Sequence, residues 1–162
     1  MIPMTTYYSP EPEKMKLFLE RDYGLIARAI NGEYDTWTPY LLGGTTEGVG
    51  TYTTQDGWYY LSTIMVDYWF TITWSAHTGT GDLYMKLPFK TFSAEGNIWT
   101  GNCMTSSVSF ANASDTYVVP LATSDSYVCD FVSGRHAAAS GNIQVQAAGT
   151  ITGFLRYMAE VK

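Results

Sequence analysis

Few residues of the chain have side chains suited to metal or nucleophilic chemistry. The 162-residue sequence contains two histidines, His77 and His136, and two cysteines, Cys103 and Cys129. Zinc sites use closely spaced ligands, as in C-x-x-C or H-x-x-x-H, and neither spacing occurs here. A cysteine outside such a motif usually behaves as a small buried apolar residue. We therefore expect no metal ion and no cofactor.

The sequence also lacks the motifs of common catalytic sites. It contains neither the G-x-S-x-G of many hydrolases nor the glycine-rich P-loop that binds phosphates. Two carboxylates such as Asp67 and Asp82 could form a glycosidase-like pair, yet nothing beyond their acidity marks them. We therefore predict that the protein is not an enzyme. A polysaccharide-degrading depolymerase is the least favoured alternative.

Polar loops with neighbouring aromatic residues favour binding over catalysis. Carbohydrate recognition combines an aromatic ring, which covers the C–H face of a sugar, with polar groups that orient it. Such residues are also common in solvated turns for backbone reasons, and this alternative applies to each of them. Three predicted loops contain such groups, with neighbours at Asn112, Ser114, Ser124, Asn142 and Gln144. The candidate ligand-binding residues are Asp115, Tyr117, Asp125, Tyr127, Arg135 and His136.

Composition restricts the class of protein. Hydrophobic residues make up 46% and charged residues 15% of the chain, which excludes overall disorder. The net charge of -6 provides no basic field for a phosphate backbone, so we expect no nucleic-acid partner. No apolar run approaches a membrane span of about 20 residues, and the first residues lack a signal-peptide core. We expect that the protein is not inserted into a membrane. We also expect that it is synthesised in a reducing compartment.

The residues from Thr36 onward have the pattern of a β-protein. Aromatic and β-branched residues alternate with polar ones, and glycine-containing turns interrupt them, as in antiparallel sandwiches and barrels. The clearest strand is 64–74, where one face is apolar and Trp69 stands on the polar face, either exposed or covered by a neighbour. We predict turns at 55–57 and 79–81. The predicted strands are 36–42, 49–54, 57–63, 64–74, 82–88, 97–103, 105–110, 116–121, 126–132, 142–147 and 149–157.

The N-terminal part has a different pattern. Residues 1–10 are polar and punctuated by proline, as in an extended arm. A helix is predicted over 9–31, with Ser9 as N-cap, Pro10 in the first turn and Gly32 beyond the last turn. Its apolar residues repeat every three or four positions and form one stripe. The stripe consists of Met15, Leu19, Tyr23, Ile26 and Ile30.

This helix needs a surface on which to bury its stripe. A sandwich closes its own core, and a single helix in water gains most of its stability from packing. The helix either lies against its own sandwich or bundles with copies of itself about a symmetry axis. Aromatic residues beyond the needs of one core, such as Trp69 and Tyr59, fit subunit interfaces. These residues favour an oligomer.

The order of motifs over 36–89 resembles the β-sandwich domains of bacteriophage tail fibres and other virion fibre proteins. The shared features are an opening T-W-T-P at 36–39, the Y-T-x-Q-x-G-x-Y-like segment at 52–60, a long alternating strand, G-T-G at 79–81 and L-P-F at 87–89. The closing segment G-T-I-T-G-F-L-R-Y-M-A-E-V-K is similar to the C-terminal ends of such proteins. The helix is similar to the segment that precedes a fibre head. Together these parts cover most of the chain.

The resemblance implies a short homotrimeric fibre that acts in host attachment. It divides the chain into an attachment arm at 1–10, a helical neck at 11–33 and a jelly-roll-like β-sandwich head at 34–162. The arm, with Tyr7 and Tyr8 as virion anchor, would bind another virion protein, and the head would bind a host surface glycan or protein. The expected location is the tail or capsid surface of a virion assembled in the host cytoplasm. A capsid decoration (cement) or head-fibre protein is the alternative.

Overall fold

The computed structural model describes residues 32–93, 96–135 and 141–160. The predicted arm and most of the predicted helical neck, including both virion-anchor tyrosines and the whole apolar stripe, lie outside the described residues. His136 also lies outside them. The described part of the chain is mainly β and contains no helix. The predicted fold class is therefore confirmed in its mainly antiparallel β character.

Ten strands make up the described structure, and most coincide with predicted ones. Their alternating burial follows the period of two in the sequence, because successive side chains of a strand point to opposite faces. The strands are β1 (Glu33–Trp37), β2 (Leu41–Gly43), β3 (Gly50–Ser62), β4 (Met65–His77), β5 (Leu83–Lys86), β6 (Ile98–Ser106), β7 (Tyr117–Thr123), β8 (Val128–Gly134), β9 (Gly141–Asn142) and β10 (Gly149–Met158).

The strands form one curled antiparallel sheet. Its order is β1-β3-β4-β10-β6-β7-β8-β5-β2, and β9 pairs with β8. The sheet bends at β6, which pairs with β7 over 98–100 and with β10 over 101–106. Because β1 and β2 are joined by only 38–40, the chain passes from one edge strand of the sheet directly to the other.

The core lies inside the curl. The inward residues of β4 are the apolar ones of the predicted strand, and Val66, Tyr68 and Ile72 are fully buried. Side chains of the other half meet them, and the rings of Phe70 and Phe131 lie 6.1 Å apart between centroids. The predicted apolar face of β4 is thus confirmed as the centre of the core.

Several predicted boundaries are wrong. The predicted turn at 55–57 lies inside β3, which runs through it with a bulge near Tyr52. The predicted strand 36–42 is divided by Thr38, Pro39 and Tyr40, because proline cannot donate a hydrogen bond to the ladder. The predicted strand 105–110 ends at 106, and 142–147 is reduced to β9 and an isolated bridge.

The two ends of the sheet carry different segments. At the entry end, where the described chain begins, the Ala159 N–H donates to the Ile64 carbonyl at 2.7 Å and the Thr91 N–H to the Ser126 carbonyl at 2.8 Å. At the opposite, loop end, the Ser109 N–H donates to Oε1 of Gln146 at 2.6 Å. The entry end comprises Gly32, 62–65, 90–92, 124–127 and 159–160, and the loop end comprises 44–49, 78–82, 107–116 and 143–148.

Candidate functional site

A buried carboxylate holds the loop that precedes β7. Asp115 is 7% exposed, and its Oδ2 accepts hydrogen bonds from Ser133 Oγ at 2.6 Å and from the Asn112 N–H at 3.3 Å. Ser133 Oγ in turn accepts from the Ala111 N–H at 3.0 Å. Oδ1 of Asp115 is buried without a hydrogen-bond partner among the described residues. Asp115 therefore fixes this loop against β8, and its neighbours carry the outward-facing groups.

Tyr117 presents its ring at the loop end of β7. The side chain is 48% exposed, and its hydroxyl end lies over Gly134, where an added Cβ would be 2.8 Å from the phenol oxygen. The two residues are paired in the β7–β8 ladder. A Cβ at this position would push the outer end of the ring away from its place across the neighbouring strand. The outer part of the ring remains open to solvent.

Polar groups continue from this ring along the loop. Arg135 follows Gly134, and its Nη1 donates to Ser114 Oγ. Ser114 Oγ donates to Oδ1 of Asn112 at 2.8 Å. A phenol ring, a guanidinium, a hydroxyl and an amide thus occupy one exposed patch, which we call the Tyr117 patch (Asn112, Ser114, Tyr117 and Arg135). This combination can cover a sugar ring and orient its hydroxyl groups.

Asp125 and Tyr127 lie at the other end of the same hairpin. Asp125 pairs with Lys90, whose Nζ is also 3.3 Å from Glu160. The salt bridges raise the pKa of Lys90, with the hydrogen bond to Asp125 as the main cause. Tyr127 is 52% exposed, and the Lys86 ammonium lies 4.7 Å from the centre of its ring. These residues form a charged cluster at the entry end.

The structure therefore separates the candidate ligand-binding residues into two groups. Tyr117 pairs with Gly134 at the loop end, whereas Ala122 pairs with Cys129 near the entry end. The five residue steps from Tyr117 to Ala122 correspond to about 17 Å of strand. Asp115, Tyr117 and Arg135 lie near one another at the loop end. Asp125 and Tyr127 lie at the opposite end of the hairpin, too far away to belong to the same binding surface.

Two other polar residues of the predicted loops bind a carboxylate. Asn142 Nδ2 donates to Asp82 Oδ2 at 2.7 Å, and Gln144 Nε2 donates to Oδ1 of the same carboxylate. Burial raises the pKa of the neighbouring Asp130, and the charge of Asp82 raises it further. Asp67 lies on β4 and forms an ion pair with Arg156 of β10. Asp67 and Asp82 thus have separate partners and do not form a carboxylate pair with each other.

A row of aromatic side chains crosses the outer face of four strands. We call Tyr34, Trp58, Trp69 and Phe154 the aromatic row. Its ring centroids are 5.6 Å apart between Tyr34 and Trp58, and 4.2 Å between Trp58 and Trp69, which are stacked. Phe154 lies 5.3 Å beyond Trp69. Trp69 is therefore covered by neighbours, one of the two alternatives that the sequence left open.

Two concavities adjoin the aromatic row. One of about 400 Å³ lies beside Trp69 and Phe154 and is lined also by Met104 and Asn102. The other, of about 460 Å³, lies beside Trp58 and includes Thr36 and Asp56. Sequence reasoning missed this surface because its residues come from β1, β3, β4 and β10. Of the two aromatic residues that the sequence indicated for a subunit interface, Trp69 belongs to this surface, whereas Tyr59 is buried in the core and contacts Phe89.

The described residues contain neither a metal-binding cluster nor a helix that could span a membrane. Among 32–93, 96–135 and 141–160, no group of three or more His, Cys, Asp or Glu side chains could hold a metal ion. The same residues include no helix long and apolar enough to cross a membrane. Comparison of the chain with protein-family models, with curated proteins and with solved structures finds no match.

Proposed function

We propose that this chain is the subunit of a short homotrimeric virion fibre that attaches a bacteriophage to its host. The curled sheet serves as its β-sandwich head, and the N-terminal segment as its neck and virion anchor. The sequence resemblance and the mainly β fold support this proposal. The function needs no catalytic group, only a rigid head that presents loops to the host surface.

The observation that carries the proposal is the polarity of the head. The described chain begins at the entry end, where Gly32 precedes β1, and the Tyr117 patch lies at the loop end. In a fibre with an N-terminal neck, the entry end faces the virion and the loop end faces the host. This polarity favours Tyr117 and Arg135 as receptor contacts in the proposed fibre, in which Asp125 and Tyr127 would be nearer to the neck.

The chemistry of the Tyr117 patch favours a surface glycan as its ligand. The ring offers an apolar surface for sugar C–H groups, and Arg135, Ser114 and Asn112 offer donors and acceptors beside it. The loop is held by buried bonds of Asp115 and Ser133, so little ordering entropy is lost on binding. Three copies in a trimer would add avidity to a weak single site.

Replacing Tyr117 with alanine tests this assignment. We expect at least a tenfold loss of binding, because the aromatic surface is lost while the loop-holding bonds remain. The measurement is binding of the purified full chain to an array of bacterial surface polysaccharides, followed by titration of the best-bound polysaccharide. Arg135→Ala should weaken binding of the same polysaccharide.

Tyr127→Ala is the matched control, because Tyr127 has nearly the same exposure as Tyr117, 52% against 48%, at the opposite end. Its binding should equal that of the unchanged chain. Loss of binding in Tyr127→Ala with none in Tyr117→Ala would overturn the proposed polarity. New reducing ends in the polysaccharide would instead identify a depolymerase.

The aromatic row gives specific support to a second candidate, a capsid decoration or cement protein. Such a protein needs a broad apolar footprint, and Trp58 and Tyr34 are both exposed on this face. Electron microscopy of the labelled protein on the particle separates the two functions. A tail position supports the fibre, and a regular position on the capsid shell supports the cement protein.

A further inference from the structure

The aromatic row is better suited to contact protein than to stack on a sugar. Trp58 and Trp69 are stacked with 18° between their planes, and Tyr34 and Phe154 flank them. The indole faces are therefore covered by other rings of the same row. The adjacent concavity contains the 81% exposed side chain of Met104, which is typical of a contact surface.

The start of the described chain lies on this same face. Gly32 has a positive φ of 66°, and an added Cβ would overlap the ring of Tyr60. Tyr60 neighbours Trp58 on the outward side of β3 and pairs with Tyr34 of β1. The described chain therefore begins on the outer face, beside the aromatic row. A neck that bundles about a three-fold axis brings this face toward that axis.

We propose that the aromatic row is an interface between copies of this chain, which rests on the homotrimer of the proposed function. The two sides of the face differ in shape. Tyr34, 64% exposed, protrudes at the β1 edge, and the concavity beside Met104 lies at the β10–β6 side. Contact between unlike patches closes into a ring under three-fold symmetry, so Tyr34 of one copy meets Met104 of the next.

The electrostatics of the face agree with burial between copies. Asp67 and Arg156 are the charged residues next to Trp69 and Phe154, and they pair through two hydrogen bonds. A paired carboxylate and guanidinium can be covered without leaving an uncompensated charge. The nearby Thr71 and Thr152 are neutral, and the exposed Asp56, which pairs with Thr71 in the β3–β4 ladder, lies beside Trp58 toward the other concavity. The face thus has the apolar centre and polar surround of a subunit contact.

A disulfide trap tests the proposed contact. Tyr34 and Met104 stand on β1 and β6, four strand spacings or about 19 Å apart within one chain, too far for a disulfide, which needs about 6 Å between Cα atoms. In the Tyr34→Cys/Met104→Cys chain, any bond between these positions is therefore intermolecular. We expect covalent trimers under mild oxidation in non-reducing gels. Each single variant should give at most dimers.

Met104→Glu provides a second test that spares the fold, because this side chain is almost fully exposed. We expect the concentration at which trimers dissociate to rise at least tenfold, since a carboxylate would be buried between copies. Val49→Glu is the control: Val49 is also an exposed apolar residue, at 74%, but lies at the loop end. Sedimentation should show it to remain trimeric.

Two outcomes would overturn the interface, and they bear differently on the proposed function. Trimers that resist Met104→Glu and give no Tyr34→Cys/Met104→Cys bond would leave the fibre intact but place its contacts elsewhere. A monomer in which Tyr34→Cys becomes reactive only after removal of 1–31 would show that the chain's own N-terminal segment covers the row. That result would also contradict the proposed homotrimer. Glycan binding by the Tyr117 patch is tested independently.

Discussion

The thiols of Cys103 and Cys129 behave chemically as apolar core groups. Burial raises the pKa of each to about 12, and Cys129 is completely buried. The neutral thiol is thus favoured in the folded state. Because the folded pKa values are raised, the thiol contribution to stability is complete below about pH 9. It is lost as the pH rises toward 12, where the unfolded chain has already ionised.

At the scale of these residues, we expect both thiols to resist alkylation in the native protein. The thiolate is the nucleophile, and at pH 8 a pKa of about 12 leaves only about one thiol in 10⁴ ionised. Iodoacetamide should modify neither cysteine in the native chain within an hour. Both should be modified in guanidinium chloride, as measured by mass spectrometry. Rapid native modification of Cys129 would show that the core opens readily.

At Gly57, the sequence predicts a turn, but the structure gives a different reason for the glycine. The sequence around it predicts a turn, yet it lies within β3. Its function is steric, because an added Cβ would lie 2.6 Å from Nε1 of Trp37. The space is therefore taken by a side chain from β1, and only the pairing of β1 with β3 makes this visible.

At the scale of the elements, strand positions could largely be predicted and their breaks could not. The alternation in β4 is purely local and is confirmed along its whole inward face. The bulge in β3 and the separation of β1 from β2 depend on pairing with distant strands. Non-local pairing leaves no periodic signal in the sequence.

The bend of the sheet at β6 depends on one glycine. Gly101 is the first residue of β6 that pairs with β10, and an added Cβ would collide with the carbonyl oxygen of Phe154. Backbone atoms cannot move aside as a side-chain tip can. We expect Gly101→Ala to lower the free energy of unfolding by about 3 kcal/mol, measured by urea denaturation.

Gly141→Ala is the control for this prediction. Among the described residues, an added Cβ at Gly141 would meet only the side chain of Ala111, at 3.0 Å, and Ala111 belongs to an exposed loop. Its effect should stay below about 1 kcal/mol. Equal stability of the Gly101→Ala and Gly141→Ala chains would show that the sheet does not need close approach of β6 and β10.

At the scale of the whole molecule, the order of strands decides which residues become neighbours. In the aromatic row, Tyr34, Trp58 and Trp69 meet through the pairing of β1 with β3 and of β3 with β4, and Phe154 joins them because β10 inserts between β4 and β6. In the same way, two tyrosines in similar sequence surroundings, Tyr117 and Tyr127, come to lie at opposite ends of one hairpin. Sequence reasoning named Trp69, Tyr117 and Tyr127, but their arrangement depends on topology.

Substitutions in the N-terminal segment test whether a helical neck holds the proposed trimer together. Replacing Ile26 and Ile30 with aspartate places charges in the predicted apolar stripe, which bundling would bury. We expect trimers to melt at least about 5 °C lower and to dissociate on dilution, as measured by calorimetry and light scattering. Arg28→Asp, on the opposite face of the predicted helix, should leave both unchanged. An Ile26→Asp/Ile30→Asp chain as stable as the unchanged one would exclude a helical neck and leave the head to associate alone.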